Sequence, residues 1–89
     1  MFSGKILIVD DEEGLRKVLA RGLAKEGYQT EAVGSGAEAL SRIAAESFDL
    51  VITDMQMPGM SGLELLAEIK AFDPALPVLV ITAYGTVES

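Results

Sequence analysis

The stretch DLVITDMQMPGMSG, residues 49–62, joins a short apolar run to an acid and then to a loop. Residues 49–53 have the composition of a strand that is buried on both faces of a sheet. Asp54 follows this strand directly, and Pro58 prevents the next few residues from simply continuing as a helix. Because no lysine or arginine lies close to it in the sequence, Asp54 is predicted to be an unneutralised carboxylate at the end of a buried strand.

Similar apolar runs occur at residues 5–9, 28–33 and 77–82, and segments of helical periodicity separate the runs from one another. The run at 28–33 is the most polar, which is typical of a strand at the edge of a sheet. Strands that alternate with helices of roughly ten to fifteen residues are typical of βαβ units with right-handed crossovers. The sequence therefore predicts an α/β fold with one parallel sheet.

The helix boundaries carry recognisable signals. Ser35 with Glu38 and Ser61 with Glu64 match the capping-box pattern, and Gly27 is expected to end the first helix. The residues expected to face the core are Leu15, Val18, Leu19 and Leu23 in the first helix, Leu40 and Ile43 in the second, and Leu63, Leu66 and Ile69 in the third, which Asp73 and Pro74 end.

The composition excludes several classes of protein. A length of 89 residues predicts one domain, and 49% hydrophobic residues are enough to form its core. The absence of cysteine and histidine excludes disulfides, thiolate metal sites and imidazole ligands. A net charge of −7 disfavours binding to nucleic acid or to acidic membranes. With no apolar run long enough for a membrane span or a signal peptide, we expect a soluble, cytoplasmic protein.

Four polar residues should meet at one edge of the sheet, because the carboxyl ends of parallel strands lie together. They are Asp10 and Asp11 after the first strand, Asp54 after the third, and Thr82 at the end of the fourth. Two carboxylates about 4 Å apart repel by roughly 4 kcal/mol at an effective dielectric of 20, which favours a cation between them. Oxygen ligands alone favour Mg²⁺. Alternatively, Asp10 or Asp11 caps the first helix, although Asp54 has no helix to cap.

The order of these motifs resembles the receiver domain of bacterial two-component response regulators. The resemblance rests on the strand followed by DDE, on LVITDMQMPGMSGLELL and on PVLVITAYG. It implies a flavodoxin-like (CheY-like) sheet with helices on both faces and the strand order 2-1-3-4. The ending ITAYG, residues 81–85, is similar to receivers of the nitrogen-regulation, sigma-54-dependent activators.

The resemblance assigns roles to individual residues. Asp54 matches the aspartate that accepts a phosphoryl group from a sensor histidine kinase. Asp11 and Asp54 match direct Mg²⁺ ligands. Asp10 matches a ligand acting through water, and Gln56 matches a ligand through its backbone carbonyl. Such a receiver is a signalling phosphoacceptor rather than an enzyme, and its phosphorylation switches an output partner.

Further roles concern the phosphoryl group itself. Thr82 matches the switch hydroxyl, and the backbone amides of Met55 and Ala83 match phosphate-binding groups. The resemblance also implies a lysine on a fifth strand, which no residue of this chain matches. Residues 1–89 are therefore expected to form a single, incomplete receiver domain that lacks the fifth βα unit and the output domain. Without that unit, residues 77–82 should form a bare sheet edge and favour a homo-oligomer.

The sequence allows three other interpretations. GSGAEA, residues 34–39, formally fits a dinucleotide-binding fingerprint, but it follows the polar second strand and leaves Asp10 without a role. An aspartyl phosphatase would require a second acid two residues after Asp54, where the chain has Gln56. A folded fragment that oligomerises without signalling is the third interpretation.

Overall fold

The computed structural model describes residues 4–82 and the backbone of residues 85–88. In chain order the elements are β1 (Lys5–Val9), α1 (Glu13–Lys25), β2 (Gln29–Val33), α2 (Gly36–Ala45), β3 (Leu50–Asp54), α3 (Gly62–Phe72), β4 (Val78–Thr82) and β5 (Gly85–Glu88). They form one sheet in the order β2-β1-β3-β4-β5. The first four strands are parallel, which confirms the predicted order 2-1-3-4.

The prediction that residues 77–82 form a bare edge is wrong. Strand β5 pairs antiparallel with β4, so that Val80 lies opposite Val87 and Thr82 opposite Gly85. Only two residues separate these strands, a spacing that allows an antiparallel return but is too short for the crossover of about a dozen residues that a parallel strand needs. The homo-oligomer predicted through residues 77–82 depended on an unpaired edge, and β4 is paired with a strand on each side.

The sheet separates two apolar clusters. On one face, α2 and α3 pack against alternate strand residues that include Leu7, Val51 and Val80, all fully buried. On the other face, Ile6, Ile8 and Ile52 pack under α1. Because both faces are covered, the central strands contain continuous apolar runs, residues 6–9 in β1 and 50–52 in β3, as the sequence predicted.

The helix faces follow the predicted pattern only in part. Leu19 and Leu23 pack on the sheet, but Leu15 is 44% exposed and Val18 is 67% exposed. The prediction is therefore wrong for two of the four α1 residues expected to face the core. The reason is that α1 lies over β1 and β2 and, among residues 4–82, has no second helix beside it. In α3, Leu65 and not Leu63 is the buried leucine of the first turn.

The helix ends confirm most of the predicted signals. Gly27 has φ +96° and donates its amide to the Ala24 carbonyl, which stops α1. Ser61 and Glu64 exchange both bonds of a capping box, whereas Ser35 accepts the Glu38 amide without the reciprocal bond. All three helices carry an acid in the first turn and a base in the last, as the helix dipole favours.

Candidate functional site

The register of the sheet places the predicted site residues at one edge. Val9 pairs with Thr53, so Asp10 and Asp54 leave neighbouring strands at the same level. On the other side of β3, Asp54 is opposite Ile81, and Thr82 lies one residue further along β4. These polar residues were predicted to meet because the carboxyl ends of parallel strands lie together, and the pairing confirms it.

Three carboxylates converge at this edge. One oxygen each from Asp10, Asp11 and Asp54 lies within 4.8 Å of the others. Oxygens on opposite sides of an octahedral Mg²⁺ ion are about 4.2 Å apart, since each Mg–O distance is about 2.1 Å. The spacing of the three oxygens is close to this value, and a donor set made of carboxylate oxygens fits Mg²⁺.

The three acids differ in exposure. Asp10 is only 3% exposed, Asp54 is half-buried and Asp11 is exposed. Burial raises the pKa of Asp10 above its ordinary value; the amide of Glu12 opposes this shift, and repulsion from Asp54 and Asp11 adds to it. A carboxylate whose ionised form is disfavoured in this way gains from a nearby cation.

Asp10 also organises the turn into α1. Its Oδ1 accepts a hydrogen bond of 2.8 Å from the amide of Glu12, which occupies the N-cap position itself. The capping alternative is thus correct in part, because Asp10 stabilises the turn but stands two residues before the cap. The same residue contributes an oxygen to the cluster, so the two roles coexist.

The loop after Asp54 is held tightly against the strand. The amide of Gly62 donates to the Met55 carbonyl at 2.8 Å, and a Cβ at Gly62 would lie 2.2 Å from the Asp54 carbonyl oxygen. Gly59 has φ +80°, a backbone conformation that favours glycine in a turn. Gly62 has a different role, because the close approach of α3 to the peptide of Asp54 leaves no room for a Cβ.

The chain matches known proteins over this whole arrangement. The family model that describes the response regulator receiver domain matches residues 6–89 of this chain. The chain belongs to this family. Among its relatives, the sporulation initiation phosphotransferase F of Bacillus subtilis is 44% identical over 99% of this chain and 71% of its own length. The Escherichia coli transcriptional regulator NtrC is 39% identical over 100% of this chain, which spans only 19% of that protein.

Solved receiver structures share the fold. The response regulator TrrA of Thermotoga maritima, solved in complex with Mg²⁺ and BeF, superimposes with a TM-score of 0.86 at 41% identity. The match covers 90% of this chain and 70% of the TrrA chain. A receiver domain of Clostridium thermocellum gives a TM-score of 0.85 at 35% identity, over 91% of this chain and 65% of that one.

Not every group assigned by resemblance is placed at the receiver's site. The Met55 amide donates to the Ile81 carbonyl at 3.0 Å, because the ladder between β3 and β4 extends one residue past Asp54. It therefore cannot bind phosphate in this structure without breaking that bond. Gln56 is exposed in the loop, and Ala83 lies outside the described residues. Thr82 ends β4, one residue beyond the partner of Asp54.

Lys5 and Lys70 lie away from the acidic cluster. Lys5 starts β1 at the opposite end of the sheet and pairs with Glu46, while Lys70 donates to the Leu76 carbonyl at 2.7 Å. Sequence reasoning missed a different cation: Arg16 donates to the Asp10 carbonyl at 2.6 Å. Its only signal in the sequence was a position in the first turns of the helix that follows the DDE motif.

The glycines of the dinucleotide-like motif are explained by packing. A Cβ at Gly34 would lie 3.2 Å from Arg16, and a Cβ at Gly36 would lie 2.8 Å from the sulfur of Met60. Side chains of the receiver domain therefore occupy the space that a pyrophosphate would need. Among the described residues, no helix is both long enough and apolar enough to cross a membrane.

Proposed function

We propose that this receiver domain accepts a phosphoryl group on Asp54 from the phosphohistidine of a sensor histidine kinase. The observation that carries the proposal is the approach of the Asp54, Asp10 and Asp11 oxygens to within 4.8 Å at the carboxyl edge of the sheet. In the transfer, a carboxylate oxygen of Asp54 forms a bond to phosphorus as the donor N–P bond breaks. The electron pair of that bond returns to the imidazole nitrogen of the donor.

Each acid has a distinct part in this reaction. Asp54 is half-buried at the end of β3, where it remains accessible to a donor protein. Asp11 and Asp54, with the backbone carbonyl of Gln56, would hold Mg²⁺, and Asp10 would act through water. Bound Mg²⁺ supplies charge neutralisation for the phosphoryl oxygens and for the clustered carboxylates.

The proposed signal passes through β4. The hydroxyl of Thr82, next to the partner of Asp54 in the sheet, would bind a phosphoryl oxygen and draw the end of β4 towards the site. The surface beside β4 would then change, and an output partner would respond. In this scheme the domain is a phosphoacceptor and not an enzyme that turns over an external substrate.

Labelling with a small acyl phosphate tests the proposal. The chain is incubated with Mg²⁺ and the donor, and intact mass spectrometry counts the phosphoryl groups gained. We expect one labile adduct that forms slowly, because no lysine among the described residues pairs with Asp10, Asp11 or Asp54 to stabilise the phosphoryl group. The adduct should be absent from Asp54→Asn and should disappear when Mg²⁺ is chelated.

Asp49→Asn is the matched control. Asp49 immediately precedes β3 at the opposite end and accepts the amide of Lys5 at 2.8 Å, so its variant should be labelled like the wild type. An adduct that persists in Asp54→Asn would refute the assignment of the acceptor. Labelling that is unaffected by chelation would refute the role of Mg²⁺.

A further inference from the structure

Arg16 contacts the backbone of the acidic site and not its carboxylates. The guanidinium Nη1 donates to the carbonyl oxygen of Asp10 at 2.6 Å, across six residues of sequence. A hydrogen bond from a charged donor at this distance is stronger than one between neutral groups. The bond therefore restrains the peptide that links Asp10 to Asp11, which are two of the three clustered acids.

The peptide groups around Asp10 are restrained from three directions. The amide of Asp10 donates to the Val33 carbonyl at 3.2 Å, which ties it to the end of β2. Its Oδ1 accepts the amide of Glu12 at 2.8 Å, and its carbonyl accepts Arg16. Among these three restraints, Arg16 is the one supplied by a side chain from the body of a helix.

The path of the Arg16 side chain depends on a glycine. A Cβ at Gly34 would lie 3.2 Å from Nη1 and 3.7 Å from Cζ of Arg16. The guanidinium thus lies against the backbone that connects β2 to α2. Through this one side chain, α1 is joined both to the end of β1 and to the loop after β2.

The charge of Arg16 alone would act against a metal ion. A positive guanidinium beside the cluster repels Mg²⁺, so the Coulomb effect of removing it is tighter Mg²⁺ binding. The hydrogen bond to Asp10 has the opposite consequence, because it holds the loop that presents Asp10 and Asp11. The two effects predict opposite results for the same substitution.

The geometry points to Arg16 as a positioning residue that orders the Asp10–Asp11 loop for Mg²⁺ binding at the proposed phosphoacceptor site. This role rests on the proposed function. Arg16 holds Asp10 through its carbonyl, so that loss of the tether lets the loop move and separates the carboxylate oxygens. A lysine would keep the charge but would lose the planar group that lies against Gly34.

Two measurements on the chain test this role. The first is Mg²⁺ affinity by calorimetry for the wild type, Arg16→Met and Arg16→Lys. Both variants are expected to bind Mg²⁺ about tenfold more weakly, the size of effect seen when groups that orient metal ligands are removed. Arg21→Met, which removes one exposed positive charge from the same helix, is the matched control and should bind Mg²⁺ no more weakly than the wild type. Unchanged or tighter binding in Arg16→Met would overturn the inference.

The second measurement needs no metal. The exchange of the Glu12 amide with solvent, followed by NMR, reports on the Asp10 turn, because this amide is bonded to Asp10 Oδ1. Arg16→Met is expected to raise its exchange rate about tenfold, while Arg21→Met leaves it unchanged. Unchanged exchange in Arg16→Met would overturn the positioning role. If the wild type bound no Mg²⁺, the proposed metal site would fail, while the Glu12 amide would still decide the role of Arg16.

Discussion

Replacing Gly62 by alanine should destabilise the domain, although alanine is the better helix former. The new Cβ would lie 2.2 Å from the Asp54 carbonyl oxygen and 2.8 Å from the Met55 Cα, whereas ordinary contacts begin near 3.4 Å. Both opposing atoms belong to the backbone of β3 and its exit, which cannot rotate away as a side chain can. Relief therefore requires α3 and this peptide to separate by roughly 1 Å.

The magnitude follows from two opposing effects. Forced expansion of a packed site typically costs about 1–3 kcal/mol, and alanine recovers up to about 1 kcal/mol of helix propensity. We expect a net loss of about 1–2 kcal/mol, or a fall in Tm of roughly 5–15 °C for a domain of this size. Since the displaced group is the peptide of Asp54, Mg²⁺ affinity should fall as well.

Two other glycines provide control substitutions for the change in Tm. Gly22 lies in α1 with nothing within 4 Å of its Cβ position, so Gly22→Ala should raise the Tm through propensity alone. Gly36 meets the side chain of Met60 at 2.8 Å, which can move, so its alanine variant should fall between the other two. Thermal unfolding followed by far-UV circular dichroism gives the three values. A Gly62→Ala domain as stable as Gly22→Ala would refute the close-approach argument.

Three further predictions concern other parts of the chain. The pKa of Asp10 is raised in the fold, so the folded state loses stability as pH rises above 3.8, the ordinary pKa of this group. At neutral pH without Mg²⁺, Asp10→Asn should therefore unfold at a higher temperature than the wild type. The difference between the two unfolding temperatures should vanish in acid. Ser61→Ala removes the hydroxyl that accepts the Glu64 amide and should lower stability by about 1 kcal/mol in urea titrations. Glu64→Ala removes the carboxylate that accepts the Ser61 amide and should cost more stability than Glu38→Ala, because Glu38 makes no such bond to the Ser35 amide; equal losses for the two glutamates would contradict the reciprocal box. A chain ending at residue 84 removes β5 and exposes β4, so light scattering at tens of micromolar should detect oligomers that the 89-residue chain does not form to the same extent.

Local patterns were enough to predict the parallel sheet and its acidic edge. The strands are short apolar runs with helical segments between them, so the rule that carboxyl ends of parallel strands meet was enough to place Asp54 at the same edge as Asp10. The capping signals depend on residues three positions apart, and for this reason Ser61 and Gly27 were assigned correctly. Features that depend on residues within one helical turn or one strand can therefore be predicted from the sequence.

The features that sequence reasoning missed depend on contacts between distant segments. Periodicity identified an apolar stripe on α1, but whether anything covers Val18 depends on where the helix lies on the sheet. The purpose of Gly62 is visible only when α3 is placed against the peptide of Asp54. The antiparallel return of β5 depends on an open neighbour, because a four-residue segment has little structural preference of its own.

The three helices have the same distribution of charge along their axes, and this affects how other molecules approach the domain. Their acidic first turns, with Glu13, Glu38 and Glu64, lie at the same end as the carboxylate cluster, while the bases of the last turns lie at the other end. The molecule therefore presents a negative pole to anything that approaches the phosphorylation site. A protein donor with a basic surface would associate faster at low ionic strength, whereas a small anionic donor would be slowed. Added salt should thus change the two phosphorylation rates in opposite directions.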